Sequence, residues 1–166
     1  MYNPGDTVVY GVHGVCVVRE VTTRTIDKKE RTYFVLHPVS EKGDSFFVPT
    51  DNQVALSKIR SLLTRTQFEE LFSSEISGDD YWIPDENQRK MRYREMISCG
   101  DRTVLVGILR ALYAHKANQL AQGKKFHMCD ENFLRDAQKL LCSELSYVLQ
   151  ISQADAVDYI QRCLDK

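Results

Sequence analysis

Glycine and proline are scarce in this chain, at 8 and 4 of 166 residues, which excludes collagen-like and low-complexity character. Long hydrophobic runs are missing as well: nothing approaches the roughly 18 consecutive apolar residues of a membrane helix. The opening Met1-Tyr2-Asn3-Pro4-Gly5-Asp6 has neither the basic nor the apolar region of a secretory leader. Excess charge of one sign is absent too, because 22 Lys+Arg face 23 Asp+Glu. With 43% apolar residues, that balance excludes intrinsic disorder. The chain is therefore expected to be globular and cytoplasmic, with no membrane contact. The five cysteines (Cys16, Cys99, Cys129, Cys142, Cys163) are scattered, odd in number and without a C-x-x-C pair or a nearby His pair. They read as reduced thiols, mostly small core residues, and neither a metal nor another cofactor is expected.

What is present falls into two halves. Residues 7 to 49 carry short runs of β-branched and aromatic residues: Thr7-Val8-Val9-Tyr10, Val15-Cys16-Val17-Val18, Thr32-Tyr33-Phe34-Val35-Leu36 and Ser45-Phe46-Phe47-Val48. The intervening Gly11 to Gly14, Asp27-Lys28-Lys29-Glu30 and Glu41-Lys42-Gly43-Asp44 are short enough for hairpins, so the strands are expected to be antiparallel. This predicts a small SH3- or Tudor-like barrel with an exposed edge.

From about residue 57 the apolar period becomes 3.6, so the fold class is α+β, with a barrel over 1–56 and an all-α domain over 57–166. Thr66 and Glu69 have capping-box spacing, Pro84 suits a first helical turn, Gly100 a stop, and Asp101, Asp130 and Ser152 further starts. The stripes they introduce, such as Leu105, Ile108, Leu109 and Leu112, have core spacing.

Charge is segregated in the helical half. Residues 61 to 88 hold one base against seven acids, whereas residues 89 to 125 hold nine bases (Arg89, Lys90, Arg92, Arg94, Arg102, Arg110, Lys116, Lys124, Lys125) against Glu95 and Asp101. Such a stripe is either a solvated helix face or the footprint of a module that touches nucleic-acid phosphate.

No phosphate-binding, dinucleotide, zinc-protease or serine-hydrolase motif occurs. His13 and Cys16 form the one tempting nucleophilic pair, but beside a Gly-rich turn they read better as a turn histidine and a core cysteine. The chain is not expected to be an enzyme.

Several segments resemble, in order and spacing, the bacterial CarD/CdnL family of transcription regulators. They are Pro4-Gly5-Asp6-Thr7-Val8-Val9-Tyr10, His13-Gly14-Val15, Thr23-Arg24-Thr25-Ile26, Tyr33-Phe34-Val35-Leu36, and Val48-Pro49 with Asn52. Ser98-Cys99-Gly100-Asp101, Leu109-Arg110-Ala111-Leu112 and Ala137-Gln138-Lys139-Leu140-Leu141 continue the likeness over nearly the whole chain. The N-terminal motifs alone would also fit the polymerase-binding domain of transcription-repair coupling factors, whose motor domains are absent here.

The resemblance implies a Tudor-like domain that binds the β subunit of RNA polymerase and a helical domain that contacts promoter DNA at the upstream edge of the transcription bubble, stabilising the open complex. It places Arg24, Thr25, Ile26 and Phe47 at the polymerase surface, with Phe47 standing where relatives often carry a base. On the DNA side it places Trp82 as a minor-groove wedge ahead of Arg89, Lys90, Arg92 and Arg94, with Lys124 and Lys125 nearby, holding phosphate without reading sequence. The stretch after Trp82 is a few residues longer than usual and carries Asp85 and Glu86. Asp130-Glu131 stand where relatives often carry Lys, so DNA contact is expected to be weaker or displaced. The chain is expected to act as a monomer, associated with the nucleoid through polymerase. Two other readings remain: an adaptor that binds polymerase or another protein without touching DNA, and a Tudor-type reader with an aromatic cage drawn from Tyr10, Tyr33, Phe34 and Phe46.

Overall fold

The runs of β-branched and aromatic residues up to Pro49 fold as strands, and the 3.6-residue period beyond Leu63 folds as helices. The computed structural model describes residues 1–40 and 42–165. Glu41 of the third expected hairpin loop, and Lys166 at the end of the expected helical domain, lie outside the described residues. The chain divides into two units, Met1–Leu62 and Leu63–Lys166.

The first unit is an antiparallel five-stranded sheet ordered β4-β3-β2-β1-β5, with β1 Thr7–Tyr10, β2 Val15–Ile26, β3 Lys29–Pro38, β4 Phe46–Pro49 and β5 Ile59–Ser61. A short helix α1, Gln53–Leu56, precedes β5 and is capped by Asn52, whose side chain accepts from the Ala55 N–H. Val8, Cys16, Val18, Phe34, Leu36, Val48 and Ile59 pack into one core. The division falls after β5 because Ile59, Arg60 and Ser61 pair with Tyr10, Val9 and Val8.

The β2–β3 hairpin is long. It turns at Asp27 and Lys28, both at positive φ (52° and 64°), the conformation of a two-residue turn that follows the strands' own twist. A register shift between Val18 and Glu20 marks the point where β2 leaves β1. From Glu20 to Ile26, among the described residues, β2 pairs only with β3 and its other edge is open.

The second unit contains α2 Arg65–Ser73, a 3₁₀ turn Gly78–Tyr81, α3 Glu86–Cys99, α4 Arg102–Ala121, α5 Met128–Leu149 and α6 Gln153–Leu164. Its core gathers Phe68, Tyr93, Leu105, Ile108, Leu109, Leu112, Leu141, Leu145 and Ile160, each fully or almost fully buried. The capping box belongs to Thr64 and Gln67, two residues before the expected pair, because the Leu63 N–H is held by the Glu144 carboxylate and the chain enters the helix directly after it. Pro84 stands just outside α3, whose cap is Asp85. Gly100 ends α3 in the left-handed region at φ 65°, Asp101 caps α4 and Ser152 caps α6, as the sequence predicts. Helix α5 starts ahead of Asp130, at Met128.

Two glycines seat the 3₁₀ turn on α4. A Cβ on Gly78 would lie 2.7 Å from the Ala111 nitrogen, and one on Gly107 would lie 2.3 Å from the Tyr81 ring. Only hydrogen fits at either position, so Tyr81 lies directly on the α4 backbone. The Tyr93 hydroxyl donates to the Tyr81 carbonyl at 2.8 Å, and burial pushes that phenol up to about 12. Arg110 donates to the carbonyls of Phe72, Ser74 and Ile76, satisfying the end of α2 and the segment leading to the turn.

Candidate functional site

In the sheet unit, cross-strand register decides which of the sequence-derived residues share a face. Arg24 stands opposite Arg31, Ile26 opposite Lys29 and Val35 opposite Phe47. Strand alternation puts Arg24, Ile26, Tyr33 and Phe47 on one face, whereas Thr25, opposite Glu30, points to the other. Ile26 is 52% exposed and Phe47 42%. The Arg24 guanidinium lies 4.2 Å from the Phe47 ring centroid, and Tyr33 meets the same ring edge-on. Phe47 thus fixes a long cationic side chain that would otherwise lose rotamer freedom on binding. At the hairpin end, Arg31 donates from Nε to both Asp51 carboxylate oxygens at 3.0 Å. Ile26, Asp27, Lys29, Glu30, Tyr33 and these two residues line an open groove of about 510 Å³. Together, the open edge of β2 and the Arg24–Phe47 face offer a docking strand beside a cationic and aromatic anchor.

The remaining chemistry suspected in this unit is closed off. Cys16 is buried, donates only to the Gly14 carbonyl, and burial pushes its thiol up to about 11, the opposite of an activated nucleophile. His13 stacks instead on Tyr10 and Phe46, at ring-centroid distances of 5.3 and 4.4 Å. Tyr33 and Phe34 are buried on opposite faces of β3, and Tyr10 packs on Phe46, so the four rings do not gather around one gap for a cation. No cluster of metal ligands occurs among the described residues.

In the helical unit the site grows from Tyr81. With that residue locked on Gly107, the part-exposed Trp82 emerges at the end of the 3₁₀ turn. Its indole stacks on His115 of α4, centroids 4.0 Å apart and planes at 25°, and the Arg89 guanidinium carbon lies 4.6 Å from the ring centroid. Phe126 continues the row, 6.1 Å from His115, with the Lys116 ammonium 5.5 Å from its ring. Lys124 and Lys125, both exposed, directly precede Phe126.

Arg89 differs from its expected role on phosphate. It is only 4% exposed, and it forms a two-pronged ion pair with Asp130, Nε to Oδ1 at 2.8 Å and Nη2 to Oδ2 at 2.9 Å. Its Nη1 donates to the Ile83 and Pro84 carbonyls, fixing the backbone directly after Trp82. Burial pushes the guanidinium pKa down, but the bond and charge of Asp130 outweigh that and raise it. Arg89 is therefore a support for Trp82 and its neighbours. Asp130, expected to weaken or displace DNA contact, is fully buried as the counterion.

The other basic residues divide in the same way. Lys90 pairs with Glu86 at 2.7 Å and Lys116 with Glu131 at 3.1 Å. Arg102 pairs with Glu144 at 2.7 Å, and Arg110 is spent on backbone carbonyls. Glu86 and Glu131 thereby neutralise local cations, and Asp85 serves as the α3 cap. Arg92, Arg94, Lys124 and Lys125 are left exposed, with no ion pair among the described residues. Residues two apart on a helix face opposite flanks, so Arg92 and Arg94 do not share one stripe. His115, absent from the sequence-derived set, completes the cluster; burial and the nearby Arg89 and His127 lower its pKa against the opposing pull of Asp130.

No described helix is long and apolar enough to cross a membrane. Residues 2–60 match the model of the CarD-like/TRCF RID domain, and residues 82–161 match that of the CarD C-terminal domain. The first match ends within β5, at Arg60, and the second begins at Trp82.

Proposed function

As a chain that belongs to the CarD family of RNA polymerase-interacting transcription regulators, this protein docks, we propose, on the polymerase β subunit and stabilises the open promoter complex. The observation that carries the DNA half of this reading is Trp82: a part-exposed indole held by His115 and Arg89, with exposed Lys124 and Lys125 beside the same aromatic row. An apolar ring fixed in this way inserts at an unstacked base step without first losing its own freedom. The lysines hold phosphate at no cost in sequence preference, so the effect is general across promoters and falls with salt. The polymerase half rests on the outward Arg24–Phe47 face with Ile26 and on the open β2 edge, where backbone pairing supplies affinity and the anchors supply specificity. The chemistry is binding rather than catalysis, and the protein works as a monomer in the cytoplasm, at the nucleoid through polymerase.

A second reading, an adaptor that binds polymerase without touching DNA, draws support from the internal pairing of Arg89, Lys90, Arg102 and Lys116, which removes much of the basic stripe. The two readings separate in one experiment on the full chain with the host polymerase and a promoter fragment. Arg24→Glu abolishes binding to the β subunit. Lys124→Glu with Lys125→Glu spares that binding but weakens the promoter effect; a promoter effect unchanged by the double reversal would select the adaptor.

A further inference from the structure

Trp82 is the only tryptophan in the chain, and what holds its ring decides which edge it presents. Arg89 restrains it from α3 and is itself fixed by Asp130 and two carbonyls. The closer contact, however, comes from α4, where His115 lies nearly parallel to the indole at 4.0 Å. A side chain one turn on secures the imidazole: the Gln119 side-chain amide hydrogen-bonds His115 Nε2 at 3.2 Å. Phe126 closes on the imidazole from the other neighbouring segment. An aromatic stack of this kind adds to the area it buries and favours one rotamer of a part-exposed ring.

We infer that His115 is the positioning residue for Trp82: the neutral imidazole, held by Gln119 and Phe126, fixes the orientation in which the indole meets its target. The inference rests on the DNA reading for its consequence, although its geometry does not. Protonation opposes the arrangement. Burial disfavours the charged ring first, and that ring also faces the Arg89 guanidinium of α3 and His127 at the start of α5, against Asp130 of α5 as the attracting charge. The nearby Glu131 is engaged with Lys116. The imidazole pKa is accordingly held below its ordinary value. The hold on Trp82 is therefore firm at neutral pH and loosens on acidification.

Because the chain has one tryptophan, its fluorescence reads this ring alone. In the full-length protein His115→Ala is expected to raise the access of acrylamide to Trp82 severalfold and to lower the indole anisotropy, whereas His115→Phe, which restores the stack without the charge, keeps both near the original values. Titration from pH 8 to pH 5 gives a change in Trp82 emission with a midpoint below that of an ordinary histidine, and His115→Phe removes it. Unaltered quenching in a His115→Ala protein with native circular dichroism, or an acid transition that persists in His115→Phe, overturns the inference. The DNA arm is separate. His115→Ala weakens binding to a duplex with a melted edge severalfold, and His115→Phe restores it at pH 7.5. A loss that His115→Phe fails to restore also overturns the positioning role. If Trp82→Ala itself binds that DNA normally, the DNA reading fails while the fluorescence result still decides the role of His115.

Discussion

Arg89 and Asp130, 41 residues apart in the chain, form a buried two-pronged ion pair that joins α3 to the first turn of α5 directly behind Trp82. A lone charge left in that position has no water to return to. Asp130→Ala therefore costs about 3–5 kcal/mol of the helical unit's stability, and replacing both partners by leucine recovers most of the loss. Urea unfolding of the full chain followed by circular dichroism measures both; equal stability of Asp130→Ala and the original protein would contradict the pairing.

The seat of Tyr81 gives a second test. A methyl group on Gly107 falls 2.3 Å from the Tyr81 ring, which forces the ring and the following Trp82 outward. Gly107→Ala is expected to destabilise the protein by about 1–3 kcal/mol through overpacking and to shift the Trp82 emission maximum to the red. Thermal unfolding and the emission spectrum of the same sample report the two effects.

On the sheet unit, face decides importance. Arg24→Glu and Phe47→Ala remove the stacked pair and should each weaken binding to the polymerase β subunit by at least about tenfold, equivalent to about 1.4 kcal/mol. Thr25→Ala, on the opposite face, should leave it within about twofold. Titration calorimetry with the purified β subunit distinguishes the three variants.

Stability should depend on pH through His115. Its folded-state pKa is depressed, first by burial, so the unfolded chain binds its proton more readily. The contribution is fully present above the unfolded value, near 6.5, and is lost as pH falls through the lower folded value. The original protein is therefore expected to lose more stability between pH 7.5 and pH 5 than His115→Phe, as measured by urea midpoints at each pH. Identical slopes for the two would refute the linkage.

Most of the fold was legible because its signals are local. Gly100, Asp101 and Ser152 punctuate helices where the sequence places them, and the strand runs stand in the expected antiparallel order. Strand β5 was not, since Ile59-Arg60-Ser61 is too short to show alternation and becomes a strand only by pairing with β1. The candidate site divides along the same line. Trp82, Lys124 and Lys125 were named only through the family resemblance and their order along the chain; residue type alone left Trp82 equally a packing residue. The inward turn of Arg89 could not be read, because its partner is remote in sequence and an arginine among arginines carries no mark of burial. His115 was missed for a related reason: an isolated histidine in an apolar helix gains meaning only from the ring stacked on it. The acid Asp130, downstream of a stretch of bases, was the one available sign that a base had turned inward.

The proposed function joins docking on polymerase through one unit to stabilisation of opened promoter DNA through Trp82 of the other. The most direct measurement is the lifetime of open promoter complexes formed by the host polymerase with the original protein or with Trp82→Ala, at saturating concentrations of each. Equal binding to polymerase and a lifetime shortened severalfold by the substitution are expected. A folded Trp82→Ala protein that binds polymerase and leaves the lifetime unchanged would contradict the proposed function.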